Sequence, residues 1–90
     1  MLDKTKKQKI IDKFKTHESD TGSPQVQIAI LTEEIKELTK HLKKHKKDYS
    51  SRRGLVKKVT ERRRLLRYLK REDEKAYEKL IADLKLKPIN

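Results

Sequence analysis

The 90-residue chain has no cysteine and no tryptophan. Without cysteine there is no disulfide staple, which argues against a small secreted scaffold and suits a reducing cytoplasm. Hydrophobic residues are scarce, at 32%, so the chain can bury only a modest core and reads as a single domain over 1–90. No apolar run approaches the length of a bilayer span. The start, MLDKTKKQKII, carries charges where a signal peptide needs an apolar stretch. Together these absences predict a soluble, cytoplasmic protein with no membrane partner. Internal repeats are also missing.

What is abundant is positive charge, and it is localised. Formal net charge is +12, with 44% of residues charged. Between Lys40 and Arg71, fifteen Lys or Arg face only two acids, Asp48 and Glu61, a net +13. The remainder of the chain is close to neutral, at −1. A charge spread for solubility would not be concentrated in this way, whereas a block of positive field raises both the rate and the affinity of binding to a polyanion. Nucleic acid is therefore the expected partner. Acidic lipid is disfavoured because the block lacks the broad Trp, Phe and Leu face that an interfacial helix inserts.

Periodicity predicts an all-α fold of four helices. Ile28, Leu31, Ile35, Leu38 and Leu42 recur at steps of three and four, one stripe of a helix. Its start is marked by Ser23 as N-cap and Pro24 at the first helical position. Glu33, Glu34 and Glu37 lie towards its N-terminal half and Lys40, Lys43 and Lys44 at its C-terminal end, the order a helix dipole favours. A second long helix, from Tyr49 or Ser50 to Glu72, carries Leu55, Val59, Leu66 and Leu69. Arg62 interrupts that row, so its stem is expected to pack while its guanidinium reaches an acid or a phosphate. The short polar link favours an antiparallel hairpin. Asp73 can cap a last helix whose Ala76, Tyr77, Leu80, Ile81 and Leu84 close a three-helix bundle, with Pro88 blocking its extension. The first helix, Lys4 to Lys15, offers only Ile10, Ile11 and Phe14, so it is expected to dock weakly and to be more mobile.

Several constellations could carry chemistry. Asp20-Thr21-Gly22-Ser23 spells an aspartic-protease signature. That chemistry needs two carboxylates in a rigid β framework, and polar loop followed by helix is not one. The same loop suits an anion better, because Gly22 tolerates positive φ and exposes N–H groups ahead of a helix N-terminus. Gln27, one turn on, could bond a sugar or base edge. His41 and His45 are spaced i, i+4 with Asp48 beyond, a spacing that could hold zinc. Flanking lysines repel a dication and no fourth ligand follows, so no metal and no cofactor is expected. If the helix ends near His45, then His41, Asp48 and Ser51 meet across the turn. Short polar groups of that kind can enter the wide, shallow RNA minor groove. Arg64, Tyr68 and Arg71 share a face at i, i+4 and i+7, and Arg53 and Lys57 extend the row. Guanidiniums grip phosphates and a phenol stacks on a base. A solvated charged face is the plain alternative.

Three segments, DTGSPQVQ, HLKKHKKDYSSRRGL and RRRLLRYLKRED, occur in order along the chain. Together they resemble the bacterial ribosomal protein S fifteen family, the fifteenth protein of the small subunit. The resemblance implies a four-helix structural protein, not an enzyme. It implies direct binding of small-subunit ribosomal RNA, early in assembly, at a three-way junction of the central domain. Junction contacts would fall on Thr21, Gly22, Gln27, Arg64, Tyr68 and Arg71, and minor-groove contacts on His41, Asp48 and Ser51. His45, Lys46, Lys47, Arg53 and Lys57 are expected to add phosphate contacts. Neighbouring small-subunit proteins and, across the subunit interface, large-subunit ribosomal RNA are the further implied partners of a chain that is monomeric when free. A DNA-binding helical module remains the competing reading, since net charge alone would serve it equally well.

Overall fold

The computed structural model describes residues 3–16 and 22–88, and the secondary structure among them is helical. Four helices follow in order: α1 (Lys4–Phe14), α2 (Pro24–Lys44), α3 (Tyr49–Glu72) and α4 (Glu74–Leu84). Each starts on a side-chain cap. The Asp3 carboxylate accepts from Lys6 N–H at 2.7 Å, Ser23 Oγ from Val26 N–H at 3.3 Å, and Asp73 from Ala76 N–H at 3.1 Å. Such caps satisfy N–H groups that have no partner inside a helix. Pro24 stands at the first helical position, where its missing N–H costs nothing.

The α2–α3 hairpin is the spine of the molecule. Its core joins Ile28 of α2 to Leu66 and Leu69 of α3 and to Tyr77 and Leu80 of α4. Ile28 alongside Leu66 and Leu69 sets the start of α2 beside the end of α3, the antiparallel pairing expected of a short link. Burying each of these large side chains contributes roughly 1.5–3 kcal/mol before ordering entropy is subtracted. Ala76, Ile81 and Leu84 pack partly against the cluster, so the α4 face closes the core as its spacing predicts.

α2 differs from the one-stripe expectation. In α2 the side chains with the least exposure include Val26, Ala29 and Thr32, which lie off the Ile28–Leu42 row. Leu31, Ile35 and Leu42 of that row are only partly buried. The reason is that α2 is covered from two sides. α1 lies against it, with Ala29 beside Ile10 and Phe14. No residue of α1 is fully buried, and Phe14 is its one side chain against the main core cluster. A 2.6 Å Lys6–Glu37 ion pair joins α1 to α2, but an exposed pair adds little.

Arg62 packs its stem between α2 and α3 as expected, but the protein group it meets is not an acid. Among the described residues its guanidinium pairs with no acid, and the side chain is half-buried. Nη1 lies 3.4 Å from Thr32 Oγ1, whose hydroxyl donates to the Ile28 carbonyl at 2.8 Å. Burial between α2 and α3 weakens the hold of the guanidinium on its proton. The acid on this face, Glu34, is engaged by Lys58 at 3.4 Å.

The end of α4 has a local cause ahead of Pro88. The helix stops at Leu84, well before Pro88, because Lys85 turns left-handed at φ 56° and ψ 43°. Lys85 N–H donates to the Ala82 carbonyl at 3.3 Å and Leu86 N–H to that of Ile81 at 2.9 Å. These two bonds form a Schellman motif, and Leu86 folds back onto the core beside Ile81. A lysine holds the position that glycine usually takes there, and the packing of Leu86 offsets the backbone cost.

Candidate nucleic-acid interface

The hairpin turn is built around one carboxylate. α2 ends at Lys44, and His45 N–H donates to the His41 carbonyl at 2.9 Å. The chain then reverses, and Asp48 becomes the N-cap of α3. One Asp48 oxygen accepts from Ser51 N–H at 3.0 Å; the other meets Ser51 Oγ at 2.7 Å and His41 Nε2 at 2.8 Å. The three residues expected to meet across the turn therefore do so. The Ser51 hydroxyl, then His41, then the Ser51 amide hold the Asp48 carboxyl well below the usual carboxylate range. His45 stacks against His41, with ring centroids 4.5 Å apart. Lys43, Lys44, Lys46 and Lys47 rim the same hollow. Arg52 closes the turn by donating to the Lys46 carbonyl at 2.8 Å. Among the described residues no group of three His, Cys, Asp or Glu side chains could hold a metal ion.

The sign of the Asp48 shift fixes a pH window. A carboxyl with a lowered folded pKa contributes stability above its unfolded value, and that contribution is lost as pH falls through the folded value. Wild type should therefore exceed Asp48→Asn in melting temperature at neutral pH. The gap should close steadily below about pH 4. Asparagine keeps the capping oxygen, so melting curves of the two proteins between neutral and acid pH isolate the charge. A gap that stays constant into acid would show that charge is not what Asp48 contributes.

The second constellation lies on the exposed face of α3. Arg64, Tyr68 and Arg71 line one shallow groove, as their spacing requires. Tyr68 is 45% exposed, and the Arg71 guanidinium lies 5.5 Å from its ring centroid. Acids are nearer than the sequence suggested. Glu61 pairs with Arg64 at 3.5 Å and Glu72 with Arg71 at 3.2 Å. Both pairs are exposed, so both are weak and a phosphate can displace them. Thr60, Arg63 and Arg67 line the same groove and were missed. They recur at steps of three and four residues beside the first row, and that periodicity is the signal that marks them. Arg53 and Lys57 continue the exposed face towards the turn, with Arg53 donating to Ser50 Oγ at 3.3 Å.

At the start of α2 the outcome is mixed. Thr21, with Asp20, lies outside the described residues. Gly22 does not take the positive φ that glycine tolerates, and the chain enters α2 through an extended Ser23. Gln27 donates its side-chain amide to the Gly22 carbonyl, bracing the entry to the helix. The antiparallel pairing sets this entry at the same end of the hairpin as Tyr68 and Arg71, and the His41–Asp48–Ser51 cluster at the other. From Ser51 to Tyr68 the helix rises about 25 Å.

Residues 7–87 match the family model described as ribosomal protein S15. The chain belongs to the ribosomal protein S15 family. It is 63% identical over 86 residues to the small ribosomal subunit protein uS15 of Heliobacterium modesticaldum, covering 96% of this chain and 97% of that one. The uS15 protein of Caldanaerobacter subterraneus subsp. tengcongensis is 60% identical over 87 residues, at 97% and 99% coverage. That of Nitratiruptor sp. is 61% identical over 83 residues, at 92% and 93%. Membership in S15 agrees with the resemblance carried by the three segments and with the four-helix fold. It also disposes of the protease spelling at 20–23, since S15 proteins are structural components of the ribosome and not enzymes.

Proposed function

We propose that this chain binds small-subunit ribosomal RNA directly at a three-way junction of the central domain, early in assembly of the platform. The junction is met by Thr21, Gly22, Gln27, Arg64, Tyr68 and Arg71. The minor groove of an adjoining RNA helix is met by His41, Asp48 and Ser51. His45, Lys46, Lys47, Arg53 and Lys57 hold phosphates between and around them. The protein works within the cytoplasmic ribosome of bacteria, among neighbouring small-subunit proteins. It is monomeric when free, and in the assembled ribosome it touches large-subunit RNA across the interface.

The observation that carries this reading is the separation of two polar clusters on one packed helical hairpin. A diffuse basic surface would bind any polyanion. Two clusters about 25 Å apart on α3 can instead hold two RNA elements in a fixed relation, so that later partners meet a preformed surface. The positive block supplies attraction and rate, and the clusters supply choice.

A competition titration tests this. A folded three-way-junction RNA from the central domain competes with duplex DNA of similar length, at salt from about 50 to 200 mM. Both affinities should fall with salt, because both release counterions. The junction should remain preferred by at least about 100-fold at the higher salt. Comparable affinity for the two would leave a basic helical module for DNA as the better reading.

A further inference from the structure

Gly54 stands inside α3, one turn after Ser51. Glycine weakens a helix interior relative to alanine because it surrenders more backbone freedom on folding. A fold usually retains it where φ is positive or where a neighbour leaves no room for a side chain. Neither holds here. Its φ is not positive, and a Cβ built on Gly54 meets no heavy atom within 4 Å. The protein's own packing does not ask for glycine at this position.

Its place around the helix suggests what does. At 3.6 residues per turn, Gly54 lies roughly 60° from Ser51 on one side and roughly 60° from Lys57 on the other. Ser51 belongs to the cluster around Asp48, and Lys57 with Arg53 belongs to the exposed basic row. A strand that touches both must cross α3 over Gly54. The residue is partly exposed, so the crossing is open.

We propose that Gly54 is a notch in which a ribose–phosphate strand of the bound RNA lies against the backbone of α3. The strand belongs to the RNA element whose minor groove meets His41, Asp48 and Ser51, so the inference rests on the function proposed above. Any side chain at position 54 lifts the strand and lengthens its contacts to Ser51 on one flank and to Lys57 on the other. The helix accepts a weaker residue in exchange for close approach.

The test uses the full chain and the same three-way-junction RNA, with Gly54→Ala, Gly54→Gln and, as reference, His41→Ala. Gly54→Ala should raise the melting temperature of the free protein by about 3–5 °C and weaken RNA binding by about 10-fold. Gly54→Gln, with a longer side chain, should weaken binding by about 100-fold, and neither variant should alter affinity for duplex DNA. If His41→Ala weakens binding and both Gly54 variants bind like wild type, the notch is wrong and the minor-groove reading stands. If His41→Ala also binds like wild type, the minor-groove surface itself falls, and the notch with it. A lower melting temperature for Gly54→Ala would show that the protein's own packing requires glycine, which equally overturns the inference.

Discussion

Replacing Tyr68 and Arg71 together by alanine is expected to weaken binding to the three-way-junction RNA by about 100-fold at moderate salt, with the helix content unchanged. Removing an aromatic stacking platform costs about 1–3 kcal/mol per base. Losing a charge-assisted phosphate contact costs about 1.5–3 kcal/mol more. The two effects should not simply add, because the Arg71 guanidinium lies 5.5 Å from the Tyr68 ring centroid and each side chain positions the other. About 2.8 kcal/mol in total gives the hundredfold. The fold should be indifferent, since Tyr68 is 45% exposed and the partner of Arg71 is the exposed Glu72. Filter binding across salt supplies the measurement, and the slope of log affinity against log salt should become shallower by about one. A loss below threefold, or an equal loss on duplex DNA, would remove the α3 groove from the specific interface.

Ile28→Ala is the change expected to cost most in stability. Ile28 is 0% exposed and touches the cluster formed by Leu66, Leu69, Tyr77 and Leu80. Truncation removes transfer energy and leaves a cavity that helices anchored on three sides cannot collapse around, a loss of about 3–4 kcal/mol. A chain of this size is held by about 5–13 kcal/mol in all. The urea midpoint should therefore drop by about 2 M at an unchanged slope. Binding to the junction RNA should weaken only as far as the folded fraction falls, which separates this variant from the Tyr68 and Arg71 pair. A drop below about 0.5 M would mean that the helices close the cavity by shifting.

The contrast between the two variants reflects how unevenly the sequence speaks. Caps and helix limits were legible because their causes are local. Ser23 followed by Pro24 starts α2, and Asp73 starts α4, by bonds that reach only three residues ahead. The meeting of His41, Asp48 and Ser51 was legible for the same reason, since a helix ending near His45 leaves too short a link for any other arrangement. The arginines of α3 were legible as a face, but spacing alone marks one row of it. Arg63 and Arg67 complete a groove whose width depends on side-chain conformation and not on spacing.

By itself the sequence determined that the chain is helical, where three of its four helices begin, that its net excess of positive charge sits in the stretch from Lys40 to Arg71, and which short polar groups lie within that stretch. These follow from contacts between residues a few positions apart. The tertiary structure alone decided which side chains are deepest. Val26, Ala29 and Thr32 are buried because α1 and the α3–α4 pair crowd α2 from two sides, and a periodicity projected around one axis cannot count how many neighbours surround it. It also decided that Arg62 ends on the Thr32 hydroxyl, that α4 stops on a left-handed Lys85 so that Leu86 can return to the core, and that a Cβ at Gly54 would meet no neighbouring side chain. Each of these depends on how far apart two helices lie, and that distance is set by every side chain packed between them.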